Sequence, residues 1–234
     1  MWEIIKFDTI DSTNNALKQM TDASHGTVLT ASHQTAGRGR MGRSFYSPLV
    51  TGAYFSILHT LTTPLCDAVA ITSAASVAVM RAIKALTGVQ TQIKWVNDLY
   101  YNDKKICGIL TEAVSSGEST HVIVGIGINL NTADFPEELA EIAGSLGAQV
   151  DVAELIAQIY REIALYLQNP TGREWLDDYR AHSCVLGKRV AWVSKGTSRE
   201  GFAESIDADG ALLIRAENGE LIRLHTGEIS LKPI

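Results

Sequence analysis

The chain has 234 residues, of which 46% are hydrophobic and 20% charged, and its formal net charge is −6. This composition is that of a globular protein with a sizeable core, and the acidic balance argues against a surface dedicated to nucleic acid. The 3 cysteines lie far apart without a Cys-x-x-Cys spacing, which excludes a disulfide framework or a zinc site and favours a reducing, cytoplasmic setting.

The N-terminal region holds the first predicted helix start. Residues 1–7 lack the basic-then-apolar pattern of a signal peptide. Residues 11–15 read Asp-Ser-Thr-Asn-Asn, four kinds of side chain that cap helices, and residues 16–20 suit a short helix. These hydroxyls and amides predict either a well-made cap or a grip on a polar ligand group.

A loop of alternating glycine and arginine follows a predicted strand over residues 27–33. Its spacing, Gly37-x-Gly39-x-x-Gly42, fits the dinucleotide fingerprint, which requires a helix immediately afterwards. The exit carries Phe45 and Pro48, and proline disfavours helical geometry before it. We therefore predict a mobile anion-binding loop, with a solvated basic turn as the alternative.

A long helix is predicted between two groups of strands. Thr63 would cap it, Pro64 would take its first position, and it would end near Gly88. Its apolar stretch contains charged residues, so no membrane span is predicted. The strands follow one another without further helices, which predicts antiparallel pairing, and the last is apolar enough for the sheet centre. They cover residues 53–59, 92–96, 105–113 and 121–131, with turns at 97–98 and 102–103.

Two lysines bracket the first of these turns. Lys94 and Lys105 could both face the arginine loop, where cations would let a carboxylic acid approach the α-phosphate of ATP. Asp98 could hold Mg²⁺ on the phosphates. The alternative for the two lysines is that they are only solvated, as lysines near turns usually are. Cys107 lies two residues after Lys105 and on a regular strand would share its face, which predicts either an acylated thiol or a small buried residue.

The last third of the chain changes composition twice. Helices are predicted over residues 152–167, capped by Asp151, and over residues 175–182. Short strands with turn signals between them then predict a small all-β barrel after residue 186, so we expect domains at 1–185 and 186–234. Those strands cover residues 189–193, 199–206, 211–214 and 221–225.

Five motifs in one order resemble those of the biotin protein ligases. They are residues 11–14 (DSTN), 34–43 (QTAGRGRMGR), 94–98 (KWVND), 105–110 (KICGIL) and 125–131 (GIGINLN). The resemblance covers nearly the whole chain. It implies an α+β fold like that of class II aminoacyl-tRNA synthetases, with a mixed, largely antiparallel central sheet, flanking helices and a C-terminal SH3-like β-barrel.

The resemblance also implies a two-step reaction. Biotin and MgATP would give biotinyl-5′-AMP and pyrophosphate, and a lysine of a biotin carboxyl carrier protein would then take the biotinyl group. Some relatives form homodimers through the central sheet, which is a hypothesis here. The sequence begins at the catalytic region, leaving no room for an N-terminal winged helix, so we expect no DNA partner and no membrane.

Residue roles are carried over by the same resemblance. The arginine loop would order over the adenylate and keep water out. Biotin would be bound by Ser12, Thr13, Asn14, Gln34, Gly37, Arg38, Gly39, Arg40, Lys105 and Gly108. ATP would be bound by Arg40, Arg43, Phe45, Lys94, Asn97, Asp98, Lys105 and Asn129, with Phe45 against adenine. Arg38, Arg40 and Lys105 would be catalytic, and Asp98 would hold Mg²⁺.

Three positions depart from the family pattern. Val96 replaces a frequent proline, Met41 a frequent arginine, and Cys107 a common alanine. A lipoate ligase or octanoyltransferase of the same superfamily is the nearest alternative, because Cys107 beside Lys105 would suit a thioester, but the expected Arg-Arg-x-Ser-Gly-Gly-Gly loop is absent. A nucleic-acid-binding module is the alternative outside enzymes.

Overall fold

The fold comes from a computed structural model, which describes residues 3–20, 23–61, 68–116, 119–169, 172–194, 196–227 and 229–231. Among these residues, twelve strands form two sheets, and five helices accompany them. The first part of the chain contains β1 (Glu3–Ile10), α1 (Thr13–Gln19), β2 (Thr27–Gln34), β3 (Gly52–Leu61), α2 (Ala68–Thr87), β4 (Gln92–Lys94), β5 (Asp98–Tyr101), β6 (Lys104–Ser116) and β7 (Ser119–Asn129). The second contains α3 (Glu137–Ala140), α4 (Val152–Gln168), α5 (Leu176–Ala181), β8 (Arg189–Ser194), β9 (Thr197–Ile206), β10 (Leu212–Ala216), β11 (Leu221–Leu224) and β12 (Ile229–Leu231).

The larger sheet has seven strands in the order β1-β2-β3-β7-β6-β5-β4. All neighbours are antiparallel except β1 and β2, which are parallel and joined through α1. The apolar strand β7 lies at the centre, which confirms the prediction for that segment. β1 was not predicted, because most of its side chains are exposed at a sheet edge and give no burial pattern.

The two turns predicted around β5 have different outcomes. Asn102 and Asp103 have φ of 49° and 60°, which is the geometry of a two-residue hairpin turn, and they connect β5 to β6 as predicted. Asp98, by contrast, is not confined to a turn, because it is the first residue of β5 and pairs with Lys94. The prediction that Asp98 lies in a turn was therefore wrong, because this residue already belongs to a short strand.

Helices α2 and α4 cover one face of the larger sheet. The small side chains along α2 are buried and let the helix lie close to the strands. Its length and composition would suffice to cross a membrane, yet 72% of the apolar window is buried in the protein, as expected of a core helix. The predicted start at Thr63 and Pro64 lies outside the described residues. At α4 the cap is confirmed, because Asp151 Oδ1 accepts the backbone N–H of Ala153 at 2.8 Å.

The smaller sheet is antiparallel in the order β11-β10-β9-β8-β12. The four predicted strands are present, and β12 is an additional one. No ladder joins β11 to β12 among the described residues, so the sheet is open there, although it remains consistent with an SH3-like barrel. Trp95 Nε1 donates to the carbonyl of Gly210 at 2.9 Å, and Arg180 Nε donates to that of Ile206 at 2.8 Å, so this sheet is fastened to the larger one.

Candidate active site

The arginine loop leaves β2 as a tight hairpin. The backbone N–H of Gly39 donates to Arg43 at 2.7 Å, and that of Phe45 donates to Gly37 at 2.8 Å. A Cβ added at Gly37 would lie 2.4 Å from the carbonyl oxygen of Phe45, so only glycine fits there. The tip is a single 3-10 turn in which Met41 has φ of 56°. The long helix that a dinucleotide site requires does not follow it.

A cavity of about 330 Å³ opens between this loop, strands β4 to β7 and the end of the smaller sheet. A site of this size can enclose a drug-sized ligand. The predicted site residues that line it are Arg38, Gly39, Arg40, Arg43, Phe45, Lys94, Asn97, Asp98, Lys105, Gly108 and Asn129.

The cavity carries an excess of positive charge. Asp98 is the one carboxylate among its described lining residues, whereas arginines and lysines approach from both the loop and the sheet. Lys105 Nζ lies 2.8 Å from Asp98 Oδ1, because the two residues share one face of the β5–β6 ladder. Lys94 Nζ lies over the Tyr100 ring, 5.1 Å from its centroid. Fixed cations in a partly enclosed site favour an anionic ligand.

Arg40 is held between the two sheets. Its Nη1 donates to Asn97 Oδ1 at 3.3 Å, and its Nη2 donates to Thr226 Oγ1 at 2.9 Å. Asn97 is fixed in turn, because its Nδ2 donates to the carbonyl of Ile109 at 2.9 Å. The guanidinium therefore has a defined position at the cavity wall, with one partner from each part of the chain.

Asn129 supplies a buried acceptor to the cavity. The residue is 4% exposed, and its Nδ2 donates to the carbonyl of Gly144 at 2.9 Å. Its Oδ1 has no hydrogen-bond partner among the described residues. A buried acceptor without a partner costs about 1–3 kcal/mol, so the position suits a ligand that brings an N–H group.

Two glycines form the floor beneath Phe45. Gly108 and Gly127 are directly paired in the β6–β7 ladder, and a Cβ at Gly127 would lie 2.4 Å from the Phe45 ring. The Tyr54 ring lies beside it, 6.5 Å away between centroids and edge to face. Phe45, predicted to face adenine, thus packs on the bare backbone of the sheet while also lining the cavity.

Several residues predicted to bind biotin lie outside the cavity lining. They are Ser12, Thr13, Asn14, Gln34 and Gly37. The first of them, at the start of α1, is 1% exposed and makes no side-chain capping bond. Most of the others belong to a hydrogen-bonded cluster around the start of α1. Gln34 Oε1 accepts the backbone N–H of Thr13 at 2.9 Å, and Ser56 Oγ donates to Thr13 Oγ1 at 2.7 Å.

This polar cluster reaches the loop. Gln34 Nε2 donates to Ser47 Oγ at 2.9 Å, and that hydroxyl donates to the carbonyl of Phe45 at 3.0 Å. At its other end Asn14 Nδ2 donates to Glu112 Oε2 at 2.9 Å. The head of α1 is thus connected to the segment that carries the arginines, although its own side chains do not line the cavity.

The predicted pairing of Cys107 with Lys105 on one strand face is wrong. The β5–β6 ladder is irregular at this point, so that Leu99 pairs with Cys107 and Tyr100 with Lys105. Cys107 therefore points into the apolar core, where it is 0% exposed. Burial raises the pKa of its thiol far above the ordinary value despite the nearby charge of Lys105, which disfavours the thiolate.

Sequence reasoning missed the residues that support the site from behind. Ser56, Glu112 and Thr226 each contact a predicted site residue without belonging to a recognised motif. The charge of Glu112 within an apolar strand was a usable signal, because such a residue needs partners. Thr226 gave none, since its contact depends on how the smaller sheet is placed.

Comparison with known proteins gives matches over the whole chain. The model of the Biotin/lipoate A/B protein ligase family matches residues 6–129, and that of the Biotin protein ligase C terminal domain matches residues 185–232. The bifunctional ligase/repressor BirA of Bacillus spizizenii is 34% identical over 97% of this chain and 74% of its own length. The biotin--[acetyl-CoA-carboxylase] ligase of Paracoccus denitrificans is 30% identical over 91% and 94%.

A solved structure shares the complete fold. The biotin protein ligase from Aquifex aeolicus in complex with biotin and ATP superposes with a TM-score of 0.86 at 30% identity, covering 99% of both chains.

Proposed function

The chain belongs to the Biotin/lipoate A/B protein ligase family, and from that premise we propose that it is a biotin protein ligase. It activates biotin with ATP and transfers the biotinyl group to a lysine of an acceptor protein. Relatives named for biotin ligation and the match of residues 185–232 to a biotin protein ligase domain favour biotin over lipoate or octanoate.

One observation carries this proposal: Arg38, Arg40 and Lys105 meet at a single cavity. The first two come from the loop and the third from β6, so cations approach a ligand from two sides. A carboxylate and a triphosphate repel each other, and fixed cations reduce that repulsion at no cost in reorganisation. A cavity of this kind is suited to joining two anions.

The first step is the formation of a mixed anhydride. A carboxylate oxygen of biotin attacks the α-phosphorus, a P–O bond forms, and the bond to the β-phosphate breaks to release pyrophosphate. Arg38 and Lys105 orient the carboxylate and stabilise the charge that develops on the α-phosphate oxygens, while Arg40 is placed by Asn97 to bind the phosphate. Asn129 offers its free Oδ1 to the nucleotide.

The second step needs no nucleophile from the enzyme. The neutral amine of the acceptor lysine attacks the biotinyl carbonyl and loses one proton to solvent, an amide forms, and AMP leaves with the bonding electrons. The buried thiol of Cys107 has no part in this chemistry. The arginine loop excludes water from the anhydride until the acceptor arrives, because hydrolysis would waste the intermediate.

Mg²⁺ bound to the phosphates of ATP belongs to the same proposal. No group of three or more His, Cys, Asp or Glu that could hold a metal occurs among the described residues, but Mg²⁺ bound to nucleotides takes most of its ligands from phosphate and water. Asp98 would provide the protein carboxylate for the ion. Its Oδ1 also pairs with Lys105 Nζ. The ion would neutralise charge on the phosphates of ATP.

The acceptor, the assembly and the location belong to the same proposal. A biotin carboxyl carrier protein or domain supplies the lysine, and a homodimer and a cytoplasmic location are the corresponding expectations for assembly and compartment. Sedimentation velocity tests the dimer, and mass spectrometry of a purified carrier domain incubated with the enzyme, biotin and ATP tests the acceptor. A single added biotinyl group on one lysine is the expected result.

ATP–pyrophosphate exchange tests the reaction itself. The purified chain is assayed with biotin, lipoate and octanoate in parallel, each with and without MgCl₂. We expect exchange with biotin alone and only when Mg²⁺ is present. Exchange with lipoate or octanoate but not biotin would replace the proposal by the alternative in the same family, and exchange with none of them would end it.

A further inference from the structure

Glu112 is a charged side chain on the central sheet, and among the described residues that line the cavity its ion-pair partner is Arg38. It lies on β6, and its side chain is 19% exposed. Lys18 Nζ lies 2.5 Å from Oε1, and Asn14 Nδ2 donates to Oε2 at 2.9 Å. Burial opposes ionisation, but hydrogen bonds from Lys18 and Asn14 and the charges of Lys18 and Arg38 hold the pKa of the Glu112 carboxyl below its usual range.

Arg38 is oriented by one of its nitrogens only. Nη1 donates to Asn15 Oδ1 at 2.8 Å and to Glu112 Oε2 at 3.4 Å. Nε and Nη2 make no bond with any described residue, and the side chain lines the cavity. The guanidinium fork is therefore fixed at one corner, and its remaining donors are free for an anion.

The ion pair between Arg38 and Glu112 adds little to stability. The Arg38 side chain is 39% exposed, and pairs of that kind contribute about 0–1 kcal/mol. The same contact limits the positions open to the long, flexible Arg38 side chain. Such positioning matters because catalysis depends on holding reactive groups in place.

Glu112 also connects the two ends of the arginine loop. From its carboxylate the hydrogen bonds run through Asn14 to Ser56, whose one hydroxyl proton is shared between Asn14 Oδ1 at 2.5 Å and Thr13 Oγ1 at 2.7 Å. From Thr13 they continue through Gln34 and Ser47 to the carbonyl of Phe45. Arg38 at the start of the loop and Phe45 at its end thus share one polar cluster.

We propose that Glu112 is a positioning residue, which orients Arg38 toward the reacting carboxylate and ties that orientation to the polar cluster at the head of α1. This assignment rests on the proposed function for its consequence in catalysis, but its structural content concerns Arg38 alone. A Glu112→Gln variant removes the charge and keeps the side-chain size. A Glu112→Asp variant keeps the charge and withdraws it by one methylene.

The first experiment needs no substrate. Phenylglyoxal modifies free guanidinium groups, and peptide mass spectrometry gives the rate at Arg38 in the full chain. We expect this rate to rise severalfold in Glu112→Gln and less in Glu112→Asp. The matched control is Glu162→Gln, which removes the partner 3.2 Å from Arg81 on the other side of the protein and should leave the Arg38 rate unchanged. An unchanged rate in Glu112→Gln would overturn the proposal.

The second experiment is a double-mutant cycle in biotin-dependent ATP–pyrophosphate exchange. We expect Glu112→Gln to lower kcat/KM for biotin about tenfold in the natural chain, and to have almost no effect when Arg38 is already alanine. Equal losses in both backgrounds would show that Glu112 does not act through Arg38. That result would overturn the part of the proposal that concerns catalysis.

The two experiments separate the proposals. Faster Arg38 labelling in Glu112→Gln, without biotin-dependent exchange in the natural chain, would uphold the positioning of Arg38 and refute the ligase function. Thermal unfolding of each variant identifies any that fails to fold, and Glu112→Asp then serves as the test variant.

Discussion

The two faces of the seven-stranded sheet differ in what their side chains do. On β3, Phe55 and Ile57 point into the apolar core covered by α2 and α4, whereas Tyr54 and Ser56 point toward the loop and α1. The helix face is filled by apolar side chains, while the cavity face has glycines at positions where a Cβ would meet the Phe45 ring. The same strands thus provide rigidity on one face and chemistry on the other, so changes on the two faces should be separable.

The largest effect is expected at Lys105 on the cavity face. Lys105→Ala should lower kcat/KM in biotin-dependent exchange by about 10²–10³, because a charge aimed at the developing phosphate charge is lost. The unfolding midpoint should move little, since the side chain is only partly buried. Lys84→Ala, an exposed lysine on α2, is the matched control. If Lys105→Ala lost stability but kept its exchange rate, the two faces of the sheet would not separate stability from chemistry.

A variant of the helix face should behave in the opposite way. Ile83 of α2 is 0% exposed within the core, and Ile83→Ala should lower the free energy of unfolding by about 2–5 kcal/mol. Urea unfolding measures this, and Leu165→Ala, at a side chain 63% exposed on α4, should stay within about 0.5 kcal/mol. Exchange activity per folded molecule at low temperature should remain near that of the natural chain.

Acid should act on the helix face through one buried ring. His59 is 4% exposed, and burial with the charge of nearby His25 lowers its pKa from 6.5 to about 4. Between those values the unfolded chain binds more protons than the folded one, so stability present above pH 6.5 is lost as the pH falls toward 4. The loss should reach about 2–3 kcal/mol.

Urea unfolding at pH 7 and at pH 4.5 measures this dependence, and His59→Gln should reduce it. The two rings lie 4.2 Å apart between centroids, so His25→Gln is a useful second variant with a smaller expected change. Parallel pH profiles for the natural chain and His59→Gln would show that acid acts elsewhere.

The smallest effect is expected at Cys107. Because its thiol faces the helices, Cys107→Ala should leave biotin-dependent exchange within about twofold of the natural chain and cost about 1 kcal/mol of stability. Steady-state exchange and thermal unfolding measure the two quantities. Abolished exchange in a folded variant would favour the thioester mechanism. It would also contradict the assignment of all catalytic groups to the cavity face.

The antiparallel pairing of neighbouring strands and the motifs could be predicted from the sequence because their signals are local. The turn residues Asn102 and Asp103 indicate the pairing of β5 with β6, and the continuous apolar run of β7 indicates a place at the sheet centre. The cap at Asp151 likewise acts within three residues. The motifs also pointed to Arg38, Arg40, Lys105 and Asn129, which line one cavity.

What the sequence did not predict depends on long-range or irregular geometry. The parallel edge strand β1 has too little burial to leave a pattern. A single irregularity in the β5–β6 ladder reversed the face on which Cys107 lies, and a regular alternation cannot anticipate that. The biotin residues expected at the head of α1 share a polar cluster rather than the cavity lining, and those roles stay predictions. The domain boundary at residue 186 also stays a prediction.

The hydrogen bond from Arg40 to Thr226 couples the cavity to local opening of the smaller sheet. A ligand that holds Arg40 also restrains the strand end next to Thr226, so part of its binding energy opposes local opening of the smaller sheet. Amide hydrogens of β11 should therefore exchange with deuterium more slowly once the cavity is filled.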